Sequence, residues 1–210
     1  MSSGVDRWLR SRAETLLKNT GVREGSCVLD FGCWEGRYTI PAARIVGDRG
    51  HVYAVDKDKP TLRKMKRRAR KEGLRNIEVL YVPADGSIPV QDQVADLVLL
   101  YDVLHGGYLP ERAQRKNVLR QIHRVLRFGG RLSCYLTHVK EYRLTFRKLL
   151  GEIESTGFRL CGESRRTLVH EDKVVRGRVF CFEKSSHSKR PRAQRRPSRK
   201  RSARPKGRKA

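Results

Sequence analysis

The sequence predicts an α/β fold: a doubly wound, mostly parallel sheet closed by a carboxyl-terminal antiparallel hairpin. Along residues 27–156, short apolar runs alternate with helical patterns, which is typical of parallel strands joined by crossover helices. Two later apolar runs are too close together for such a helix, so they are expected to be antiparallel neighbours. The final residues alternate Arg, Lys, Pro and Ser and have no aromatic or β-branched side chain.

The elements follow one another in a regular order. A first helix is predicted over residues 6–18, where Trp8, Leu9, Leu16 and Leu17 supply an apolar face. The predicted parallel strands are residues 27–31, 51–55, 77–82, 96–101 and 131–138. The predicted crossover helices are residues 38–46, 60–72, 111–126 and 141–156. The hairpin strands are predicted over residues 158–161 and 174–183.

Positive charge is concentrated at the carboxyl end. The chain has 48 Lys and Arg against 22 Asp and Glu, a formal net charge of +26, and 13 of these cations follow residue 183 with no acid among them. Such a segment cannot bury enough apolar surface to fold. We therefore predict one domain over residues 1–183 and a disordered basic tail over residues 184–210. The tail and the basic helices at 60–75 and 111–127 are expected to bind a polyanion such as RNA; a merely solubilising tail is the alternative.

Several classes of protein are disfavoured by what the sequence lacks. No apolar run reaches the roughly 20 residues of a membrane-spanning helix. Residues 1–10 lack the apolar centre of a secretory signal, so a cytoplasmic protein is expected. The five cysteines form no Cys-x-x-Cys pair, and no metal site is predicted. Nothing in the sequence indicates the oligomeric state.

A glycine-punctuated turn follows the first predicted strand. Residues 28–36 are Val-Leu-Asp-Phe-Gly-Cys-Trp-Glu-Gly, and a helical pattern begins directly after them. Backbone amides at such a strand-to-helix turn bind charged groups of nucleoside-like ligands. Asp30 closes this strand and Asp56 closes the next, so both carboxylates are expected at one edge of the sheet. A nicotinamide-dependent dehydrogenase has a related turn, but its Gly-x-Gly-x-x-Gly pattern is missing here.

Further motifs follow in a specific order. They are Val55-Asp56, Ala84-Asp85-Gly86, Asp96-Leu97-Val98, Val103-Leu104-His105 and the run from Leu126 to Arg131. Together with residues 28–33, they make residues 6–183 resemble a class I S-adenosylmethionine-dependent methyltransferase, specifically the small ubiquinone-biosynthesis-like single-domain enzymes. The resemblance implies a Rossmann-like sheet that ends in an antiparallel strand, and S-adenosyl-L-methionine as the cofactor.

The same resemblance assigns the methionine and ribose contacts. The loop from Gly32 to Gly36 would lie against the methionine part of the cofactor, with Asp30 near its ammonium group. Asp56 would accept the two ribose hydroxyls. The resembling enzymes have glycine where this chain has Trp34, and a side chain held at positive φ costs about 1 to 2 kcal/mol. Either the indole is turned outward or onto the cofactor, or the site has lost cofactor affinity.

The adenine contacts follow from the next motifs. By resemblance, Lys57 would flank the adenine, and Asp85 with the amide of Gly86 would bind the adenine edge. Tyr101, at the end of the fourth parallel strand, completes the expected cofactor site.

The catalytic residues are expected just after the fourth strand. Methyl transfer mainly needs alignment of the acceptor with the methyl group. A general base is needed only where the acceptor's proton does not leave freely. His105 and Asp102 are the predicted catalytic residues, and His138 is a further candidate base. Closure of the loop is the alternative role for His105.

Only missing sequence motifs limit the possible identity of the methyl acceptor. The chain lacks the Asn/Asp-Pro-Pro-aromatic motif of exocyclic-amine methyltransferases, the Pro-Cys pair of one class of cytosine-C5 enzymes, and the fifth-strand lysine of ribose methyltransferases. Three hypotheses follow. The chain is a methyltransferase for a small molecule or exposed group with a polyanion-binding tail, an RNA- or ribosome-associated methyltransferase, or a nucleic-acid-binding scaffold that no longer catalyses.

Overall fold

The computed structural model describes residues 4–83, 85–140 and 143–185. In these residues seven strands form one sheet in the order β3-β2-β1-β4-β5-β7-β6. The strands are β1 Cys27–Phe31, β2 His51–Asp56, β3 Ile77–Tyr81, β4 Ala95–Tyr101, β5 Leu126–Tyr135, β6 Phe158–His170 and β7 Lys173–Lys184. The helices are α1 Gly4–Ser11, α2 Ala13–Thr20, α3 Thr39–Val46, α4 Lys59–Lys71, α5 Arg112–Val125 and α6 Phe146–Glu154.

Helices cover both faces of the parallel strands. β1 lies at the centre, hydrogen-bonded to β2 on one side and β4 on the other. Along β4, Leu97 and Leu99 pack in the core with α1, α2 and α3, whereas Val98 and Leu100 pack with α5 and α6. This arrangement confirms the predicted doubly wound, Rossmann-like fold. Within the described ranges, no helix combines the length and the apolar character needed to cross a membrane.

The antiparallel hairpin is confirmed, but its first strand is longer than predicted. β6 pairs with β7 along its whole length, and β7 pairs with β5. The middle of β6 is polar because it is an edge strand whose alternate side chains face solvent. Because of this polarity, the search for apolar runs in the sequence does not find most of the strand. The added length carries Val169 and His170 to the edge where the parallel strands end.

Several other boundaries differ from the prediction. The first helix is two helices, because the chain leaves helical geometry at Arg12. β5 begins at Leu126, where α5 ends, and it ends at Tyr135, so His138 follows the strand instead of closing it. β7 includes Lys184, whose ammonium group donates to the Leu126 carbonyl (2.6 Å), so the predicted tail starts inside the sheet. The prediction of disorder otherwise falls on residues 186–210, outside the described residues.

The loop between β4 and α5 is held by the buried side chain of Arg115. Its guanidinium makes two hydrogen bonds to the Glu152 carboxylate of α6 (2.8 and 3.2 Å). It also donates to the carbonyls of Leu109 (3.2 Å) and Pro110 (3.1 Å). A bidentate pair of this kind fixes geometry as well as charge. The loop therefore has a defined position at the edge of the sheet that carries the candidate site.

Candidate functional site

The glycine loop leaves the sheet between β1 and α3. The amides of Gly32 and Cys33 both donate to the Val55 carbonyl at the end of β2 (2.8 and 3.1 Å). Gly32 has a φ of 79°, and a Cβ at this position would lie 2.4 Å from Cγ2 of Val103. A residue other than glycine would therefore be both strained and obstructed here. The loop and the chain after β4 consequently pack in direct contact.

Trp34 occupies the family's glycine position in the conformation that favours glycine. Its φ is 45°, and its amide donates to Oδ2 of Asp56 (2.9 Å). This charge-assisted bond offsets part of a strain of about 1 to 2 kcal/mol. Trp34 is 44% exposed, and the Arg37 guanidinium lies 4.2 Å from the centroid of its ring. The indole is therefore turned to the wall of the site and does not fill it.

The Asp56 carboxylate connects three segments of the chain. Besides the Trp34 amide, it accepts at Oδ1 from the amide of Asp58 (3.0 Å) and from the hydroxyl of Tyr108 (3.3 Å). Lys57 donates to the Tyr108 carbonyl (2.8 Å) and lies 4.1 Å from the centroid of the Tyr108 ring. The bond from the Tyr108 hydroxyl is the longest of the three. It is the contact that a hydroxyl-bearing ligand would replace.

These residues border a cavity of about 470 Å³, here called the glycine-loop cavity. Its volume lies within the range of about 300 to 1,000 Å³ typical of small-ligand pockets. The predicted site residues that line it are Gly32, Trp34, Asp56, Lys57, Tyr101, Asp102 and His105. Residues from β1, β2 and β4 thus meet at one edge of the sheet, as the sequence predicts for parallel strands.

Asp30 is buried beside this cavity without lining it. Only 3% of the residue is exposed, and its Oδ2 accepts the hydroxyl of Thr39 at the start of α3 (2.6 Å). Burial raises the pKa of Asp30 from 3.8 to about 7, against the opposing effect of the Thr39 hydrogen bond, and the nearby Asp56 carboxylate raises it further. Asp30 is therefore held protonated at moderately acidic pH.

The other predicted cofactor residues lie away from the cavity. A Cβ on Gly36 would lie 2.8 Å from Cγ of Met65, so this glycine lets α4 approach the loop. Asp85 is exposed and accepts from the amide and the hydroxyl of Ser87 (both 2.9 Å), bonds that hold the pKa of Asp85 below its usual value. Gly86 packs against Val118 of α5. The adenine-edge role of Asp85 and Gly86 stays a prediction.

The β6–β7 hairpin closes one side of the cavity. The Tyr38 hydroxyl donates to the carbonyl of Val169 and accepts from its amide, both at 3.0 Å. In the turn after β6, Asp172 forms an ion pair with Arg37 (2.7 Å), the residue whose guanidinium lies over the indole of Trp34. The hairpin is thus tied to the beginning of α3 across the cavity.

A polar cluster gathers at the ends of β4, β5 and β6. Nδ1 of His170 lies 2.8 Å from Oδ2 of Asp102, and Nε2 of His138 lies 3.8 Å from Oδ1. The hydroxyl of Thr137 donates to Oδ1 of Asp102. Asp102 therefore faces two histidines that are distant from it in the sequence. Asp102, His138 and His170 are here called the Asp–His cluster.

His105 borders the cluster and closes its own loop. Its Nδ1 accepts from the amide of Gly107 (3.1 Å), and its Nε2 is 3.1 Å from the carbonyl oxygen of Asp102. The first contact requires an unprotonated Nδ1 and the second a protonated Nε2, which together describe the neutral ring. Burial lowers the pKa of His105 accordingly. These contacts match the loop-closing alternative, and the catalytic role of His105 stays a prediction.

A second cavity, of about 510 Å³, shares no lining residue with the glycine-loop cavity. His138 and His170 line it, together with Arg165, Arg176 and Arg178 of the hairpin. We refer to it as the arginine cavity. Its walls also include the rings of Tyr135 and Phe146. The Asp–His cluster therefore contributes residues to the walls of two cavities, one bordered by the glycine loop and one rich in cations.

The match to a protein family decides the class of the chain. Residues 23–174 match the family described as a methyltransferase domain. The chain belongs to this methyltransferase family. Membership confirms the resemblance predicted from the sequence motifs, and with it the methyltransferase class.

Two curated relatives have names that refer to quinone methylation or quinone biosynthesis. A demethylmenaquinone methyltransferase of Geobacillus sp. (strain WCH70) is 30% identical over 131 residues, which are 62% of this chain and 53% of the relative. The ubiquinone/menaquinone biosynthesis C-methyltransferase UbiE of Vibrio campbellii is 34% identical over 134 residues, 63% of this chain and 48% of the relative. The methyltransferase described here thus spans about half the length of these curated relatives.

Solved structures share the fold. A SAM-dependent methyltransferase from Aquifex aeolicus superposes with a TM-score of 0.68 at 21% identity, covering 85% of this chain and 93% of that one. A SAM-dependent methyltransferase from Methanosarcina mazei gives a TM-score of 0.64 at 18% identity, covering 80% and 96%. At this level of identity the likeness concerns the fold alone.

Two residues of the candidate site were not predicted from the sequence. Tyr108 binds Asp56 from the loop after β4, three residues beyond the Val103-Leu104-His105 motif. His170 lies at the end of β6, a strand that the hydrophobic pattern of the sequence does not reveal because many of its residues are polar. Exposure alternates along β6 in the structure, but residues 162–167 are Gly-Glu-Ser-Arg-Arg-Thr, so the sequence carries no apolar–polar alternation that would extend the strand to His170.

Replacement of Asp30 in the methyltransferase should change the dependence of stability on pH. Between its unfolded pKa near 3.8 and its folded pKa of about 7, the folded state binds a proton that the unfolded state does not, so stability falls as pH rises. Asp30→Asn removes this loss. The variant should gain on the order of a few kcal/mol relative to the parent between pH 4 and pH 8.

Urea unfolding at both pH values measures this effect. The control is Asp48→Asn, which changes an exposed acid and should keep the parent's profile. A parent and an Asp30→Asn variant with parallel pH profiles would contradict the burial argument.

Proposed function

We propose that this methyltransferase binds S-adenosylmethionine in the glycine-loop cavity and methylates a small hydroxylated ring compound that approaches through the arginine cavity. One observation carries the proposal: the Asp–His cluster joins the walls of two cavities of ligand size, because Asp102 lines the glycine-loop cavity while His138 and His170 line the arginine cavity. The names of the relatives support a ring acceptor, because demethylmenaquinone methyltransferase and UbiE are both named for quinone methylation. Such acceptors carry hydroxyl groups in their reduced form.

The cofactor end of the site is built around Asp56. Its carboxylate can accept the ribose hydroxyls once the Tyr108 hydroxyl moves aside, because the two bonds from the amides of Trp34 and Asp58 remain in place. The cationic methionine part would then lie along the glycine loop toward Asp30. The indole of Trp34 and the Arg37–Asp172 pair would shield the sulfonium from water.

The acceptor end of the site is polar and cationic. Transfer of a methyl group requires the acceptor atom to lie in line with the sulfur–carbon bond. The Asp–His cluster is placed to bind and activate an acceptor hydroxyl. Arg165 and Arg176 are exposed on the facing hairpin, while Arg178 is paired with Glu163 (2.6 and 2.9 Å). An acceptor that carries an acidic group would complement these guanidinium groups.

Cofactor binding should be visible in the fluorescence of one of the two tryptophans. Trp34 lines the glycine-loop cavity, whereas Trp8 is buried in α1. Adding S-adenosylhomocysteine should therefore change the emission of the parent and of Trp8→Phe but leave that of Trp34→Phe unchanged. Asp56→Asn should weaken binding about tenfold or more, because a charged hydrogen-bond acceptor is lost. Calorimetry that detects no cofactor binding by the folded parent would overturn the proposal.

An acidic group on the acceptor should increase the rate of methylation. We expect methyl transfer from labelled S-adenosylmethionine to a dihydroxybenzoate to exceed transfer to the matching dihydroxybenzyl alcohol by about tenfold, the effect of one charged contact. Arg176→Gln should reduce this preference, and Arg67→Gln, which removes an exposed charge from α4, should not. Equal rates with the two acceptors would show that the guanidinium groups do not select the substrate.

The basic tail supports a second proposal, retention of the methyltransferase on RNA. Its cations would release counterions from phosphates, so binding should weaken steeply with salt. Because Lys184 and Ser185 bind the sheet, the appropriate truncation ends at Ser185. The truncated chain should lose RNA binding at low salt yet methylate the small acceptor at the parent's rate. Label that enters RNA instead of the ring compound would favour an RNA acceptor.

A further inference from the structure

The Asp–His cluster has the composition of a metal site. One ligand atom from each of Asp102, His138 and His170 lies within 4.8 Å of the other two. The His138 and His170 rings are tilted toward each other with centroids 4.8 Å apart. These three residues are partly buried, so an ion at their centre would be sheltered by the protein but open on the cavity side.

The main chain is strained at two of these three residues. Asp102 and His138 adopt φ values of 58° and 51°, in the left-handed region that non-glycine residues rarely occupy. The first conformation follows the end of β4 and the second follows the end of β5, which are neighbouring strands. Two such residues whose side chains converge indicate a site that the surrounding structure holds in place.

We propose that Asp102, His138 and His170 bind a divalent transition-metal ion of the zinc type. Two imidazole nitrogens and one carboxylate form the usual ligand set of a catalytic zinc ion, which keeps its fourth position for water or substrate. Tetrahedral zinc ligands lie about 3.3 Å from one another. In the cluster, Nδ1 of His170 lies 2.8 Å from Oδ2 of Asp102 and Nε2 of His138 lies 3.8 Å from Oδ1, so small side-chain rotations would bring one carboxylate oxygen and both ring nitrogens to that separation. Magnesium and calcium prefer all-oxygen ligands and fit poorly here.

The surroundings of the cluster suit this role. The Thr137 hydroxyl donates to Oδ1 of Asp102 and so fixes the orientation of the carboxylate, as groups around metal ligands commonly do. Nε2 of His105 lies 3.7 Å from Oδ1 of Asp102, but both ring nitrogens of His105 also contact its own loop, so we assign the ligand roles to Asp102, His138 and His170. The guanidinium groups of the arginine cavity repel a bare cation but attract an anionic acceptor. An acceptor of that charge would complete the coordination.

The ion would explain how an acceptor hydroxyl is activated, and this part of the inference depends on the proposed function. A hydroxyl oxygen bound to the ion loses its proton to solvent more readily, because the cation stabilises the oxyanion. The acceptor oxygen, or the ring carbon conjugated to it, then forms a bond to the methyl carbon; a ring carbon that accepts the methyl group afterwards loses its own proton to solvent, which restores the aromatic ring. The carbon–sulfur bond breaks with its electron pair retained on sulfur, which leaves S-adenosylhomocysteine.

Metal binding can be measured without cofactor or acceptor. The full chain, without an affinity tag and stripped with a chelator, should bind one Zn²⁺ per chain in calorimetric titration. Asp102→Asn, His138→Ala and His170→Ala should each weaken binding at least about tenfold, and Thr137→Val should give a smaller loss. His51→Gln removes a histidine of β2 outside the cluster and should bind like the parent. Co²⁺ should give the visible absorption of a tetrahedral site.

Two controls keep the outcomes distinct. Thermal unfolding establishes that each variant is folded, and Zn²⁺ should raise the melting temperature of the parent but not of His170→Ala. A folded parent that binds no Zn²⁺, or cluster variants that bind Zn²⁺ as the parent does, would overturn the metal site. In that event, methyl transfer by the metal-free chain would leave the proposed function standing. A chain that binds Zn²⁺ at the cluster but transfers no methyl group would support the site and refute the proposed function.

Discussion

The Asp56 carboxylate holds the glycine loop in the shape on which the rest of the site depends. It accepts the amide of Trp34 and thereby stabilises a left-handed main chain at a residue that is not glycine. That conformation turns the indole onto the Arg37 guanidinium, and Arg37 in turn binds Asp172 of the hairpin turn. The opening of the cavity therefore depends on a chain of contacts that starts at one buried acid.

Two acids at neighbouring strand ends serve the site in different ways. Asp56 accepts hydrogen bonds from the amides of Trp34 and Asp58 and from the hydroxyl of Tyr108. Asp30 receives a single hydroxyl and is deeply buried, so the cost of removing a charge from water dominates its pKa. A cationic ligand beside Asp30 would favour its ionised form. The fold thus tolerates a destabilising group at a position where a cationic ligand would compensate for it.

The sequence predicted the parallel core well because its signals are local. Each parallel strand is a short apolar run, and the residues that follow β1, β2 and β4 reach the same cavity as expected. The first helix and β6 were misjudged. The break at Arg12 has no glycine or proline to mark it, and β6 is polar because it lies at the edge of the sheet.

The Asp–His cluster could not be predicted from local patterns, since Asp102 and His170 are separated by 68 positions. They meet only because β6 extends far beyond its apolar beginning, and the register with β7 sets how far. Tyr108 likewise reaches Asp56 across 52 positions. Long-range pairings of this kind follow from strand length and loop position, which hydrophobic periodicity describes least accurately.

The bonds between Tyr38 and Val169 give the last two strands a role beyond completing the sheet. Because the hairpin is anchored at the start of the first crossover helix, it cannot separate from the core without opening the glycine-loop cavity. In the proposed function, this is the cavity where the sulfonium of the cofactor would lie. Shortening the hairpin from its tip would therefore remove Val169, Glu171 and Asp172 from the cavity wall while leaving the buried pairing of β7 with β5 in place. Insertions at its tip, by contrast, would change the wall of the glycine-loop cavity, because Glu171 and Asp172 of that tip line it.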